Sequence, residues 1–346
     1  MRAALYLGPQ NIQVTEVETP RPADGEVLVK VGACAICGTD LRIYKHGDAR
    51  IKPPHIVGHE ICGIVEKVGA GVTTVREGQK VVIVTPVGCG VCSFCRVGRH
   101  NLCVDFKAIG YHFPGGFAEH ILIGARAVAQ GNLLEAPASL SFEEGALVEP
   151  LSCCINGQEY LDIGFGDKVV IVGAGPIGAM HTELARRRGA ETIILVEVAE
   201  ERLKLARERF HADHYINGSL VKPVEAVKEL TGGQGADVVI IACSAPPAVA
   251  QGLEMARKRA RVSLFAGMPK DASEIKLNYN LIHYGELSVY GAFASSSTQY
   301  LQALSLIATG TIEAKRFITG VRPLGEIVAA IQEAGSMQGL KVIVKP

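Results

Sequence analysis

Residues 169–180 read VVIVGAGPIGAM: a β-branched run, three glycines in the order G-x-G-x-x-G, and a helix-compatible continuation. A strand needs the first part, a tight turn the second and a helix the third. Gly173 permits the turn, Gly175 lets a pyrophosphate approach the backbone, and Gly178 lets helix and strand pack closely. Pro176 and Ile177 complete the candidate dinucleotide-binding turn, at a helix start whose unpaired amides face an anion. Such a turn is common by itself, so its context decides. IILVEV closes a second strand on Glu197, 19 residues beyond Gly178. A carboxylate there accepts hydrogen bonds from ribose hydroxyls and repels a 2′-phosphate, so the expected cofactor is NAD rather than NADP.

The alternation continues through GADVVIIACSAP, PAVAQGLEMARK and RARVSLFAGMP, the rhythm of a parallel α/β sheet. Upstream, the text has a different period. To about Ala129 it consists of short β-branched runs broken by glycine and proline, among them GEVLVKVGACAICG, GHEICGIVEKVGAGV and GQKVVIVTPVGCG. These predict a β-rich, barrel-like unit. From Phe142 the sequence is helix-compatible, and the closing GLKVIVKP returns to strand. The expected fold class is α/β: a β-rich domain followed by a doubly wound parallel sheet.

A length of 346 residues suits two domains, and 48% hydrophobic against 20% charged residues excludes disorder and fibrous repeats. Basic and acidic residues balance at 35 each, which gives no field to attract nucleic acid or an anionic membrane and favours small-molecule partners. The opening MRAALYLGPQ is too short in apolar residues for a secretory signal, and no run approaches a membrane-spanning length. The expected setting is cytoplasmic, where thiols stay reduced and cysteines serve metals or catalysis.

GCGVCSFCRVGRHNLC, residues 88–103, carries Cys89, Cys92, Cys95 and Cys103 at C-x2-C-x2-C-x7-C. One loop with that spacing can wrap a tetrahedral zinc and leave no coordination position open. Gly88, Gly90 and Gly98 allow the bending. An iron–sulfur ligand run of the bacterial type would carry a shorter last spacing and a proline after the fourth cysteine.

A catalytic zinc keeps three protein ligands and an open place. Cys37 in CAICGTDLRIY, His59 and Glu60 in IVGHEICG, and Glu149 in ALVEPLSCC are the candidates. Each also has an ordinary structural reading: a buried thiol, a core histidine, a carboxylate in a first helical turn.

Jointly, CGTD at Cys37–Asp40, GHE at Gly58–Glu60, the four-cysteine run, EP at Glu149–Pro150 and the glycine turn occur in an order that resembles the zinc-containing medium-chain alcohol and polyol dehydrogenases. The resemblance covers essentially the whole chain and is nearest the sorbitol and threonine dehydrogenase branch. It implies a GroES-like catalytic domain over residues 1–149 and 292–346 and a Rossmann-type NAD-binding domain over 150–291. It further implies one structural and one catalytic zinc per chain, the latter held by Cys37, His59 and Glu60. Glu149 then either coordinates directly or holds the zinc-bound water. Arg202 would flank the adenosine, Gly267 and Phe293 would line the nicotinamide half, and Cys153 and Cys154 would pack. A homodimer or homotetramer through the edge near Leu287–Phe293 is also implied.

Two departures stand out. The family's proton relay passes from a hydroxyl, here Thr39, to a histidine three residues on, but that position holds Arg42. Arginine does not act as a base at physiological pH, so His46 or solvent must take the proton. The arginine–tyrosine pair of sorbitol-type pockets is also missing, since Ala294 and Ser295 follow Phe293. Sorbitol itself is therefore not the expected substrate. Arg42, Lys45 and Arg50 either bind an anionic polyol or form a solvated face, with Tyr44 and Phe117 as pocket walls. The expected activity is oxidation of a polyol or sugar-derived secondary alcohol to a ketone. The rivals are L-threonine 3-dehydrogenase, hexitol-phosphate dehydrogenase, and a non-catalytic zinc-stabilised dinucleotide-binding protein with a single zinc.

Overall fold

In the computed structural model, six strands pair in parallel in the order His214–Asn217, Thr192–Glu197, Lys168–Val172, Ala236–Ile241, Ala256–Leu264 and Ser288–Gly291. The structure describes residues 1–268 and 272–346. The order starts in the middle and winds outward both ways, as in doubly wound nucleotide-binding sheets. Central strands of such sheets are covered on both faces and read as continuous apolar runs. ADVVII is accordingly buried along its full length, and VVIV along Val169–Val172. The sheet belongs to a unit of residues 153–293; residues 1–152 and 294–346 form the other.

In the first unit the strand Val27–Ala35 is the hub. It pairs antiparallel with Glu60–Val68, His120–Ile123 and Lys341–Lys345. Its inward valines, with Ile61, Val65, Ile83, Phe117 and Ile121, make a core in which each buried aliphatic side chain contributes about 1.5–3 kcal/mol. The register places Ala35 opposite both Glu60 and Ile343. Segments distant in sequence therefore end side by side where the hub strand runs out.

There the helix Gly38–His46 begins. Cys37 stands at its N-cap in an extended conformation, and Asp40 in the first turn accepts the Cys37 N–H at 2.9 Å. An acidic first turn and a basic last turn, Lys45 and His46, both suit the helix dipole. The helix stops at Gly47 (φ 77°), whose N–H bonds the Ile43 carbonyl at 2.8 Å.

Candidate active site and metal centres

Cys37, His59 and Glu60 present a sulfur, a ring nitrogen and a carboxylate oxygen that lie within 4.8 Å of one another. The hub strand's end delivers all three, Cys37 just beyond Ala35 and Glu60 opposite it in the ladder. His59 is 4% exposed and Glu60 fully buried. Behind the histidine, Asp40 Oδ1 lies 3.5 Å from His59 Nδ1, and neither atom has another hydrogen-bond partner among the described residues. A proton on Nδ1 directed at Asp40 leaves the Nε2 lone pair for a metal, the usual arrangement behind a histidine ligand. Burial alone would lower the His59 pKa, yet it is raised well above the ordinary value by the surrounding Tyr111, Asp40 and Cys37. The protein's field at this point favours a cation. A mixed set of thiolate, imidazole and carboxylate in such a field fits zinc.

Three residues given no role in the sequence reading complete the surroundings. Asp40 is the first, tying Cys37 to His59. Lys341 is the second: its ammonium lies 2.5 Å from both oxygens of Glu60 and 3.1 Å from the Ile36 carbonyl, with all partners buried. Glu60 is thus within ligand reach while paired to a lysine. Burial opposes the Lys341 charge, but Glu60, Cys37 and Glu149 outweigh it and raise the pKa. The third is Tyr111, 8% exposed, whose hydroxyl lies 3.4 Å from His59 Nε2. Burial raises its pKa, with Cys37, Asp40 and Glu149 adding to the effect. Glu149 lies outside the close donor group, but its charge acts on both Tyr111 and Lys341.

The cysteine lobe is organised differently. Cys89, Cys92, Cys95 and Cys103 form a second close group. Main-chain amides of Cys89, Cys92 and Asp105 point at the sulfurs of Cys103, Cys89 and Cys103 at 3.0, 3.3 and 3.3 Å. Backbone hydrogen bonds pull the Cys92 pKa down to about 6. Amide donors favour thiolate, the form that binds metal. Gly90 and Gly98 adopt φ of 81° and 76°, where a side chain would be strained.

In the second unit the glycine turn has the geometry its motif demands. Gly173 has φ 106°, and a Cβ on Gly178 would fall 1.8 Å from the Gly173 carbonyl oxygen. Pro176 opens the helix Pro176–Arg187 and Ile177 follows it. Glu197 ends its strand with Oε2 accepting the Ala174 N–H at 2.8 Å, and Oε1 those of Val198 and Ala199 at 2.7 and 3.1 Å. It therefore also braces the turn. Arg202 lies over Gly175, its Nη1 3.0 Å from where a Cβ would stand. Burial lowers the Arg202 pKa and the Glu197 charge opposes that. Gly267 follows the strand Ala256–Leu264 in a loop, and the Phe293 carbonyl accepts from Asn156 at 3.4 Å. Cys154 packs with its sulfur toward the Ile177 carbonyl, and neither Cys153 nor Cys154 enters a close donor group among the described residues.

Other residues fall further out. Thr39 is half-buried in the first turn after Cys37. His46 does not join it: seven residues of helix at about 1.5 Å each put it roughly 10 Å further along the axis. There it lines a cavity of about 520 Å³ with Tyr44, Lys45 and Gln10. Phe117 is a core residue packed beneath Gly58 rather than a wall. Arg42 is exposed, 3.8 Å from Asp48.

Comparison with known proteins bears on both units. Residues 23–133 match the alcohol dehydrogenase GroES-like domain, and residues 176–309 the zinc-binding dehydrogenase domain. The chain is 34% identical over 353 aligned positions to a 2-dehydro-3-deoxy-L-galactonate 5-dehydrogenase of Pseudoalteromonas atlantica, covering 100% of this chain and 98% of that one. It is 36% identical to an L-threonine 3-dehydrogenase of Symbiobacterium thermophilum, covering 99% and 96%. A Sinorhizobium meliloti protein assigned as a zinc-binding dehydrogenase and solved with NADP superimposes with a TM-score of 0.92 at 34% identity, covering 100% and 99%.

Proposed function

The chain belongs to the zinc-binding alcohol dehydrogenase family, and on that premise we propose that it oxidises a secondary alcohol of a polyol or sugar-derived substrate to a ketone, with NAD as acceptor. The observation that carries the reading is the close, buried set of Cys37, His59 and Glu60 with Asp40 behind it. Zinc held there would supply Lewis-acid assistance to the alcohol oxygen, and a bound nicotinamide would supply the hydride acceptor.

The chain's own residues do the rest. Cys37 and His59 would hold the metal, and Asp40 keeps the proton of His59 on Nδ1, which leaves the Nε2 lone pair available as a ligand. Glu60 is the third donor within reach, its charge balanced by Lys341. Glu149 adds negative charge beside the set. Thr39 Oγ1 accepts the substrate hydroxyl proton as it passes its own hydroxyl proton to solvent, because Arg42 is no base and His46 stands at the other end of the helix. The glycine turn cradles the pyrophosphate on the amides opening Pro176–Arg187. Glu197 selects an unphosphorylated ribose, although the Sinorhizobium relative holds NADP. Arg202 flanks the adenosine, and backbone at Gly267 and Phe293 meets the nicotinamide half. The protein acts as a cytoplasmic homodimer or homotetramer, joined at the strand Ser288–Gly291, which lies at one end of the six-stranded sheet.

NADH absorbance with the zinc-loaded protein tests this directly. Hexitols, pentitols and sugar acids are expected to give turnover, with kcat/KM for NAD at least about tenfold above NADP. Absence of turnover with every secondary alcohol would overturn the reading. The Symbiobacterium relative supports a second reading, L-threonine as substrate, which the same assay decides.

A further inference from the structure

Beside the ligand set stands a cation that the hydride chemistry does not use. The Arg50 guanidinium lies 4.3 Å from the centroid of the Tyr111 ring, the same ring whose hydroxyl reaches His59 Nε2 at 3.4 Å. One tyrosine therefore touches both. Asp48 fixes the arginine from one side. Its Oδ1 accepts Arg50 Nε at 2.8 Å and the Arg50 backbone N–H at 3.0 Å, and Oδ2 accepts Nη2 at 2.6 Å. That fork occupies the Nε–Nη2 edge. No hydrogen bond among the described residues uses Nη1, and the side chain is one-third exposed.

Charge counting points the same way. Asp48 lies between two guanidiniums, Arg50 at 2.6 Å and Arg42 at 3.8 Å, so the cluster keeps an excess positive charge. A loop clip would need the Asp48 contacts and nothing more. Stacking on the tyrosine beside His59 is additional, and it fixes the free edge of a planar donor whose geometry matches an oxyanion.

We propose that Arg50 is a specificity-determining residue of this active site, its free edge receiving the anionic group, carboxylate or phosphate, at one end of a polyhydroxy substrate whose secondary alcohol lies at Cys37, His59 and Glu60. The inference rests on the dehydrogenase reading above and narrows its substrate class. It gives the excess cation beside Tyr111 a purpose and makes neutral hexitols the poorer substrates.

The test compares an aldonic acid, a hexitol phosphate and the corresponding neutral hexitol, in wild type, Arg50→Gln and Arg50→Lys at constant ionic strength. The ratio of kcat/KM for the better anionic substrate to that for the neutral hexitol should fall at least about 30-fold in Arg50→Gln, mostly through KM. Arg50→Lys separates the two anions. A point charge restores much of a phosphate's binding but little of a carboxylate's two-point contact. Glutarate, which has no alcohol to oxidise, and inorganic phosphate are titrated calorimetrically into the zinc-loaded proteins as well. At least one should bind wild type and bind Arg50→Gln at least about tenfold more weakly. An unchanged ratio in a folded Arg50→Gln, or equal binding of both anions by wild type and variant, would overturn the proposal. If no alcohol is oxidised at all, the dehydrogenase reading fails on its own and the calorimetry still decides Arg50.

Discussion

The two donor groups of the first unit share an element preference and differ in almost everything else. The cysteine lobe uses four like donors from one fifteen-residue loop, braced by the loop's own amides. The Cys37 group uses three unlike donors, flanked by Asp40, Tyr111, Glu149 and Lys341 from across the unit. Four thiolates saturate a tetrahedral ion and leave it with a structural role. Unlike donors in a buried, charged setting leave room for a substrate oxygen and surround it with groups that tune it. Local ligand sets thus build a lobe, and dispersed ones build chemistry.

Substitutions should separate the two sites. Cys37→Ser is expected to lower kcat/KM by on the order of 10³ or more, the loss of Lewis-acid assistance, while the melting temperature changes little. A parallel fall in both would erase the distinction. Lys341→Met comes next. It strands the Glu60 charge in the interior, a cost of about 3–5 kcal/mol to be read from urea unfolding. The sign with pH follows from the raised lysine pKa, in which burial is outweighed by Glu60 and its neighbours. Stability from this lysine is complete below the unfolded value near 10.4 and fades only as pH rises through the higher folded value. Wild type should therefore show no stability change from this pair between about pH 6 and 9, and a fall above about 10.5; a fall starting near pH 8 would count against the pairing.

Cys92→Ser should act in the opposite sense to Cys37→Ser. The melting temperature is expected to drop by about 5 °C through loss of the lobe's metal, with the remaining folded fraction still active. Protein that melts normally but is dead would assign the lobe a catalytic part. Smallest is Thr39→Val, for which turnover at neutral pH should fall about tenfold. An unchanged pH–rate profile would remove Thr39 from the proton's route.

How much of this was legible from the sequence follows the same division. The lobe could be read from spacing because its ligands are neighbours, and the doubly wound sheet because VVIV, GAGPIG and the strand ending at Glu197 are local patterns. Cys37, His59 and Glu60 could be named individually. Lys341 could not, since it reaches Glu60 only because the chain's last strand pairs beside Val27–Ala35. Its one trace is that Lys341 opens the strand KVIVK on its buried side, whereas the second lysine, Lys345, closes it exposed. Tyr111 stands in AIGYHFPGG, where glycine and proline announce turns and nothing announces a site. Of the two proton acceptors the sequence offers in place of Arg42, His46 and solvent, His46 stands in the last turn of the helix, seven residues and about 10 Å along the axis from Thr39.

The central claim is that one ion is closed off by cysteines and a second is left open by Cys37, His59 and a carboxylate. Zinc stoichiometry with X-ray absorption on purified wild type and Cys37→Ser measures this most directly. The account predicts two zinc ions per wild-type chain, with a mixed sulfur and nitrogen or oxygen average environment. It predicts one ion in Cys37→Ser, surrounded by four sulfurs at about 2.3 Å. A single four-sulfur zinc in both proteins would contradict it.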